Sequence, residues 1–299
     1  MKIAIIGGGA IGLLFAHYLS KEHDVTLYVH KQEQAALISG TGLHLEKDGQ
    51  TLPTALKSRS FQEWQGEEEM TIVAVKQYHL PALMPFLKKG EKAKHSFLFL
   101  QNGMGHLKWL HQFEEASIYV GTVEHGSLKA AGNHVIHTGA GVTKIALFSG
   151  SEDFKLNIND LLKINDFPFE WFTDYKEMLA EKLLVNAVIN PLTAIFQVKN
   201  GDIIQNPYYF KIFTMLYEEV STILQVRDKE KGFLHVQTIS KKTAANYSSM
   251  YRDLEQGRRT EVDAILGYLL EEARDLHYEA HLIELFYNSI KGKETGAEK

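Results

Sequence analysis

In EKLLVNAVINPLTA, residues 181–194, Lys182, Asn186 and Asn190 recur every four residues among Leu183, Leu184, Val185, Val188 and Ile189. A helix advances about 100° per residue, so these three polar side chains share one narrow stripe of an otherwise apolar helix. An ammonium and two amides in register suit a polar ligand, and the ammonium suits a carbonyl oxygen gaining negative charge. Asn is a mediocre helix former, and a buried amide without a partner is costly. The stripe therefore needs a reason. A shared ligand is one and a polar seam between domains is another, and spacing favours neither. Lys182 taken singly could also snorkel to solvent or pair with Glu177 or Glu181. Pro191, directly after Asn190, predicts a kink there.

A second polar cluster lies in ANYSSMYRDLEQGRRTEVDAILGYLL, residues 245–270. Asn246, Ser248 and Ser249 precede a helix-like stretch, and Gly257-Arg258-Arg259 breaks it. Glu261 then enters an apolar helix for which Thr260 is the candidate N-cap. Glu261 is either a first-turn acid favoured by the helix dipole or an acid aimed at Lys182, and spacing does not decide.

A third feature opens the chain. IAIIGGGAIGLLFAHYL contains Gly7-x-Gly9-x-x-Gly12 directly after a strand pattern and at the start of a helix pattern. In this context Gly7 permits a tight turn, Gly9 admits a pyrophosphate to the backbone and Gly12 allows close helix–strand packing. Gly8, Ala10 and Ile11 complete the loop, and the helix N-terminus offers N–H groups to phosphate. The second strand, VTLYV, runs into His30 and Lys31 where an NAD site usually places an acid. Lys31 suits a 2′-phosphate, so the expected cofactor is NADP(H); a solvated first-turn lysine is the alternative. Lys76 and Asn102-Gly103 follow later strands, at the ends where open α/β sheets bind ligands. Asn-Gly also makes an ordinary turn. Fourteen histidines include no HExxH pattern, and no metal is assigned.

The elements that must position these groups alternate through the first half. KIAII (2–6), DVTLYV (24–29), MTIVAV (70–75), SFLFL (96–100) and SIYVGTV (117–123) read as buried parallel strands. Helical patterns over 10–22, 32–39 and 79–88 lie between them, which predicts a doubly wound α/β sheet of Rossmann type. Residues 42–56 read as a hairpin turning at Asp48-Gly49, and 127–148 as an antiparallel patch around Gly132-Asn133. From about residue 174 only helical spacing remains. The expected division is a dinucleotide-binding domain over 1–170 and an all-α domain over 171–299, with a frayed polar tail KGKETGAEK.

Composition narrows the function class. A net charge of −5 without a long basic run argues against nucleic-acid binding. The absence of cysteine removes disulfide and thiolate chemistry and agrees with a reducing cytoplasm. No uninterrupted apolar run reaches bilayer length, and glycines break the apolar N-terminus where a signal peptide would need continuity. PYYFKIFTMLYEEV fits a homodimer face or core packing equally well.

With these residues in hand, the chain resembles the 2-dehydropantoate 2-reductase (ketopantoate reductase) family. GGGAIG, Val75-Lys76, Gln101-Asn102-Gly103, KLLVNAVINPLTAIFQVKNG (182–201) and SSMYRDLEQGRRTEVD (248–263) carry the resemblance. It implies NADPH-dependent reduction of a 2-oxo acid in pantothenate biosynthesis. It further implies that Lys182 is the general acid toward the carbonyl oxygen, and that Asn186, Asn190, Asn200 and Ser249 bind substrate. Asn102 would stand near both ribose and substrate, Glu261 would touch cofactor and orient the site, and Lys76 and Gly126 would contact cofactor. Many members carry Arg where this chain has His30-Lys31, which loosens the expected preference for NADPH over NADH. The alternatives are a reductase of another 2-oxo acid or of a β-hydroxy acid, and a catalytically idle NADP-binding sensor.

Overall fold

The computed structural model describes residues 1–92, 95–150, 160, 161 and 163–296. Its contacts divide the chain into two compact units. The first comprises Met1–Gln101 and Leu107–Met178, the second Asn102–His106 and Leu179–Lys299.

The first unit is built on an eight-stranded sheet. Its strands are β1 (Lys2–Ile6), β2 (Asp24–Val29), β5 (Lys57–Ser60), β6 (Met70–Val73), β7 (Ser96–Phe99), β8 (Ser117–Val123), β11 (Thr143–Ser149) and β12 (Phe169–Phe172). They lie in the order β12-β11-β8-β7-β6-β1-β2-β5. From β5 to β8 all neighbours are parallel, while β11 runs antiparallel to β8 and parallel to β12. Every residue of β6, β7 and β8 is buried, which explains their continuous apolar character. Helices α1 (Ala10–Leu19), α2 (Gln32–Thr41) and α3 (Leu80–Lys89) and the short α4 (Leu107–Leu110) connect these strands. The sheet is thus the expected doubly wound α/β arrangement. Strands β5 and β12 escape the sequence pattern because both are short edge strands, and β5 (KSRS) has only two buried residues.

A second sheet was foreshadowed only in halves. β3 (Leu43–Lys47) and β4 (Gln50–Thr54) form the hairpin at Asp48-Gly49, both at positive φ. β9 (Gly126–Ala131) and β10 (His134–Gly139) form the patch around Gly132-Asn133, but the last part of the expected 127–148 stretch leaves it as β11 to pair with β8 in the first sheet. A parallel pairing of β10 with β3 fuses them into one sheet, β4-β3-β10-β9. Helix α1 packs against strands of both sheets. Tyr18 on α1 stacks on Phe167 at 4.6 Å and meets the His137 ring nitrogen at 2.8 Å.

The second unit is helical: α5 (Tyr175–Phe196), α6 (Asp202–Gln205), α7 (Pro207–Ile223), α8 (Lys229–Lys242), α9 (Ser249–Glu255), a π-helical turn (Asp263–Gly267), α10 (Tyr268–Asp275) and α11 (His281–Gly296). The chain stops and restarts helices with side-chain caps. Asn206 accepts from the Tyr208 N–H at 2.9 Å, Asp228 from the Lys231 N–H at 2.9 Å, and Ser248 from the Tyr251 N–H at 3.1 Å. At α11 the cap comes from elsewhere: the buried Glu219 carboxylate of α7 accepts from Leu282 and Ile283 N–H at 3.0 and 3.2 Å. The tail continues α11 as far as Gly296, and its last three residues, 297–299, lie outside the described residues.

Helix α5, 22 residues long, contains a window with the mean hydropathy, 1.3, of a helix able to cross a membrane, although charged residues interrupt its apolar run as the sequence indicated. Of that apolar window 61% is buried inside the protein, the condition of a core helix. The helix also runs through Pro191 unbroken. Thr193 Oγ1 donates to the carbonyls of Ile189 and Asn190 at 2.9 and 3.0 Å beside the proline.

Candidate active site

In the first unit the glycine loop leads from β1 into α1. Gly7 has φ +125°, and a Cβ there would lie 2.8 Å from the Ala74 carbonyl oxygen. A Cβ on Gly12 would lie 1.8 Å from the Gly7 carbonyl oxygen, so the helix can approach the strand only without one. Gly9 is exposed and would meet nothing within 4 Å. It is the N-cap of α1, supplies no side-chain cap, and no acid occupies the first turn. The N–H groups at this helix start are therefore open, with a positive dipole end and no competing carboxylate. The loop thus fits a dinucleotide pyrophosphate, with Gly8 half-buried and Ala10 and Ile11 on the first helical turn.

Around the loop, His30 and Lys31 are both exposed at the end of β2, and Lys31 directly precedes α2. Lys76 is half-buried after β6, where its carbonyl accepts from the His79 N–H at 2.9 Å. Gln101, part of the Gln101-Asn102-Gly103 motif but given no role by it, is 3% exposed and holds that strand end in place. Its Nε2 donates to the carbonyls of Val73 and Val75 at 2.9 and 3.0 Å. Gly126 opens β9 opposite Gly139.

The second unit carries the other candidates. Lys182 and Asn186 are half-buried on α5 and Asn190 is buried, so the stripe runs from a partly wet end to a dry one. Three residues beyond Asn190, the Thr193 and Ser248 hydroxyls hydrogen-bond at 2.7 Å and tie α5 to the start of α9. Ser248 rather than Ser249 is thus the buried hydroxyl; Ser249 is exposed at the first position of α9. Asn200 is buried with its Nδ2 on Thr243 Oγ1 at 2.9 Å, while its Oδ1 has no partner. Its backbone carbonyl also accepts from Ser240 Oγ at 2.6 Å, so Asn200 anchors the turn after α5 to α8.

Glu261 is 9% exposed, and its carboxylate accepts from Asn102 Nδ2 at 2.8 Å across 159 residues of sequence. Its carbonyl accepts from the Ala264 and Ile265 N–H groups at 3.0 and 3.1 Å, where the chain enters the π-helical turn. Thr260 Oγ1 accepts from the Val262 N–H at 3.1 Å and donates to Glu294 at 2.6 Å. Gly103 lies against this turn with φ +75°, and a Cβ would lie 2.0 Å from the Ala264 carbonyl oxygen. Asp263, on the turn, is opposed by burial, but hydrogen bonds from Arg259 and Tyr287 and the charge of Lys291 outweigh it and hold its carboxyl below the usual range. His106, at the end of the same short segment as Asn102, is fully buried with both ring nitrogens unpartnered; burial lowers its pKa to about 3. An isolated histidine in an apolar sequence context gives no signal of that kind. Among the described residues no cluster of histidine and acidic side chains could hold a metal.

The model of the ketopantoate reductase PanE/ApbA family matches residues 3–150, and that of its C-terminal part matches residues 174–294. The 2-dehydropantoate 2-reductase of Bacillus subtilis (strain 168) is 41% identical over 300 residues, covering 100% of this chain and 99% of the relative. The chain belongs to the ketopantoate reductase family.

Structures agree. The crystal structure of the probable 2-dehydropantoate 2-reductase panE from Bacillus subtilis superposes with TM-score 0.88 at 41% identity, over 98% of this chain and 100% of the other. A D-mandelate dehydrogenase with NADH and anilino(oxo)acetate reaches TM-score 0.91 at 22% identity, with both chains fully covered, and so shares the fold. Within the ketopantoate reductase family frame, the signposts read from the sequence fall into two sets. The glycine loop, His30, Lys31, Lys76 and Gly126 sit in the first unit. Asn102, Lys182, Asn186, Asn190, Asn200, Ser249 and Glu261 sit in the second. The structure brings Asn102 and Glu261 into direct contact. It holds Lys182, Asn186 and Asn190 on one helix, and it turns the Asn200 amide toward Thr243.

Proposed function

We propose that this chain reduces 2-dehydropantoate to (R)-pantoate with NADPH. The observation that carries the reading is the buried Glu261 carboxylate bonded to Asn102, in the same unit as the Lys182 stripe. A buried carboxylate needs strong partners and a neutral amide is a weak one, so the pair fits a site that a polar ligand completes.

NADPH supplies a hydride when bound, held at its pyrophosphate by the open N–H groups from Gly9 to Gly12. The protein's own groups supply the rest. Negative charge builds on the substrate's 2-oxo oxygen as its carbon is reduced. The Lys182 ammonium stabilises that oxygen and gives it a proton. Half-burial of Lys182 strengthens the interaction by excluding part of the competing water. Asn186 and Asn190 hold the substrate hydroxyl, Asn200 lends its unpartnered Oδ1, and Ser249 meets the carboxylate. Asn102 is fixed by Glu261, which leaves its own carbonyl oxygen oriented for a ribose or substrate hydroxyl.

The proposal extends to a cytoplasmic homodimer. Tyr208 and Met215, both exposed, lie seven residues apart on α7 and share a face suited to a second copy; sedimentation as a monomer at micromolar concentration would remove that part.

The deciding experiment follows NADPH oxidation with a panel of 2-oxo acids, with NADH in parallel. Preferential turnover of 2-dehydropantoate is expected. Preference for another 2-oxo acid would make the chain a related reductase, and tight NADPH binding without turnover of any acid would make it a sensor. In Lys182→Ala, turnover should fall by at least about a hundredfold, the contribution of a positioned acid, while NADPH affinity stays unchanged. Near-normal turnover would remove Lys182 from the chemistry.

A further inference from the structure

The hairpin β9/β10 brings a lysine onto the glycine loop from 121 residues away in sequence: Lys129 Nζ donates to the Gly8 carbonyl oxygen at 2.7 Å. The same oxygen accepts from Gln34 Nε2 at 3.0 Å, and Gln34 also donates to the Gly132 carbonyl at 2.7 Å. One side chain of α2 thus ties the loop to the hairpin turn, and the position of Lys129 over the loop is set by the fold. Lys129 also feels Lys31: partial desolvation, and then the Lys31 charge, lower its pKa. Among the described residues neither ammonium is paired with a carboxylate. Two cations thus stand beside the dinucleotide loop, Lys129 bonded to the Gly8 carbonyl and Lys31 where α2 begins, and a ligand that brings negative charge eases their mutual repulsion.

We propose that Lys129, together with Lys31, forms the contact for the 2′-phosphate of NADPH and sets the preference for NADPH over NADH. The inference rests on the NADPH reading above and adds a residue that no spacing in the sequence indicates. A lysine ammonium has three donor hydrogens, so Lys129 can keep Gly8 and still serve a phosphate oxygen. The 2′-phosphate carries nearly two negative charges at neutral pH, whereas the 2′-hydroxyl of NADH carries none. Its binding therefore relieves the repulsion between the lysines, and NADH gains nothing from them. This arrangement replaces a single arginine at the end of β2 by two lysines from different sheets.

The test is equilibrium binding of NADPH and NADH to the purified chain, followed by titration calorimetry, for the wild type, Lys129→Gln and Lys129→Arg. Gln keeps a donor for Gly8 but loses the charge. The expected result is a rise of about tenfold or more in the NADPH Kd of Lys129→Gln, the scale of one charge-assisted hydrogen bond. The NADH Kd should stay within twofold of wild type, and Lys129→Arg should retain most of the preference. The slope of NADPH affinity against salt should also fall in Lys129→Gln. Equal losses for both dinucleotides would make Lys129 a structural brace for the loop and overturn the proposal, as would no loss for either. A wild-type chain that binds NADPH and NADH equally also overturns it. A wild-type chain that binds neither overturns the underlying cofactor reading instead.

Discussion

Replacing Gly103 with Ala perturbs the site without touching a polar group. Its φ of +75° is a left-handed conformation that costs an L-residue about 1 kcal/mol. The added Cβ would lie 2.0 Å from the Ala264 carbonyl oxygen and 2.7 Å from its carbonyl carbon. Both partners are backbone, one of them in the π-helical turn, so neither can swing aside as a side chain would. The segment must retreat by roughly 1 Å to restore an ordinary contact. Asn102 is the adjacent residue, and its 2.8 Å bond to Glu261 is short enough that such a retreat breaks it. A buried carboxylate that loses its donor is destabilised by a further ~1–3 kcal/mol. The total is about 2–4 kcal/mol, enough to lower Tm by several degrees. Displacement of a positioning group by about 1 Å should also cost on the order of a hundredfold in kcat/KM. Differential scanning calorimetry and steady-state kinetics on the same preparation read both effects. A variant with wild-type Tm and wild-type turnover would refute the docking argument. Lost stability with unchanged turnover would refute the link from Gly103 through Asn102 to catalysis.

Three further outcomes follow from the same geometry. Gly12→Ala, with its Cβ 1.8 Å from the Gly7 carbonyl oxygen, should weaken NADPH binding by at least about tenfold, or ~1.4 kcal/mol; an unchanged Kd in a fluorescence titration would contradict a close-packed loop. Glu261→Gln keeps the size of the side chain but removes the charge that fixes Asn102, so kcat should fall with the fold intact, whereas wild-type kinetics would leave the carboxylate without a catalytic consequence. Burial lowers the pKa of His17, His95 and His125 from 6.5 to about 4, so these rings are neutral when folded and more readily protonated when unfolded. Stability is then full above pH 6.5 and falls as pH drops toward 4, by up to about 3 kcal/mol per ring; denaturant titrations with a flat pH dependence across this window would show that the rings take up protons while folded.

The central strands were legible because each is buried on both faces, and a continuous apolar run admits few other readings. The glycine loop was legible because its spacing is dictated by backbone contacts that lie close in sequence. The fusion of two hairpins through β10 and β3 was not, since a pairing between residues some ninety apart leaves no local pattern. The same holds for Lys129 on Gly8: one exposed lysine in a strand looks like any other. In the helical unit, the period of four exposed the stripe on α5, and the family resemblance supplied roles for its members. Periodicity could not tell Ser248 from Ser249, because burial there depends on a hydrogen bond with Thr193. Nor could it show that the Asn200 amide is turned toward Thr243, a partner on another helix.

The five residues Asn102–His106 belong by contact to a unit whose remainder begins at Leu179. During synthesis they leave the ribosome long before Glu261, and 159 residues separate that acid from the amide it receives. The sheet that flanks them can pair as it emerges, while they wait as an unfilled connection. Closing so wide a loop is a slow event in folding. The contact that orients the candidate site is therefore among the last to form, and competence for chemistry trails the appearance of a folded dinucleotide-binding half. It also means that a fragment cut at residue 179 would carry Glu261 with no Asn102 to meet it, and would regain that donor only if the missing loop were supplied from a second chain.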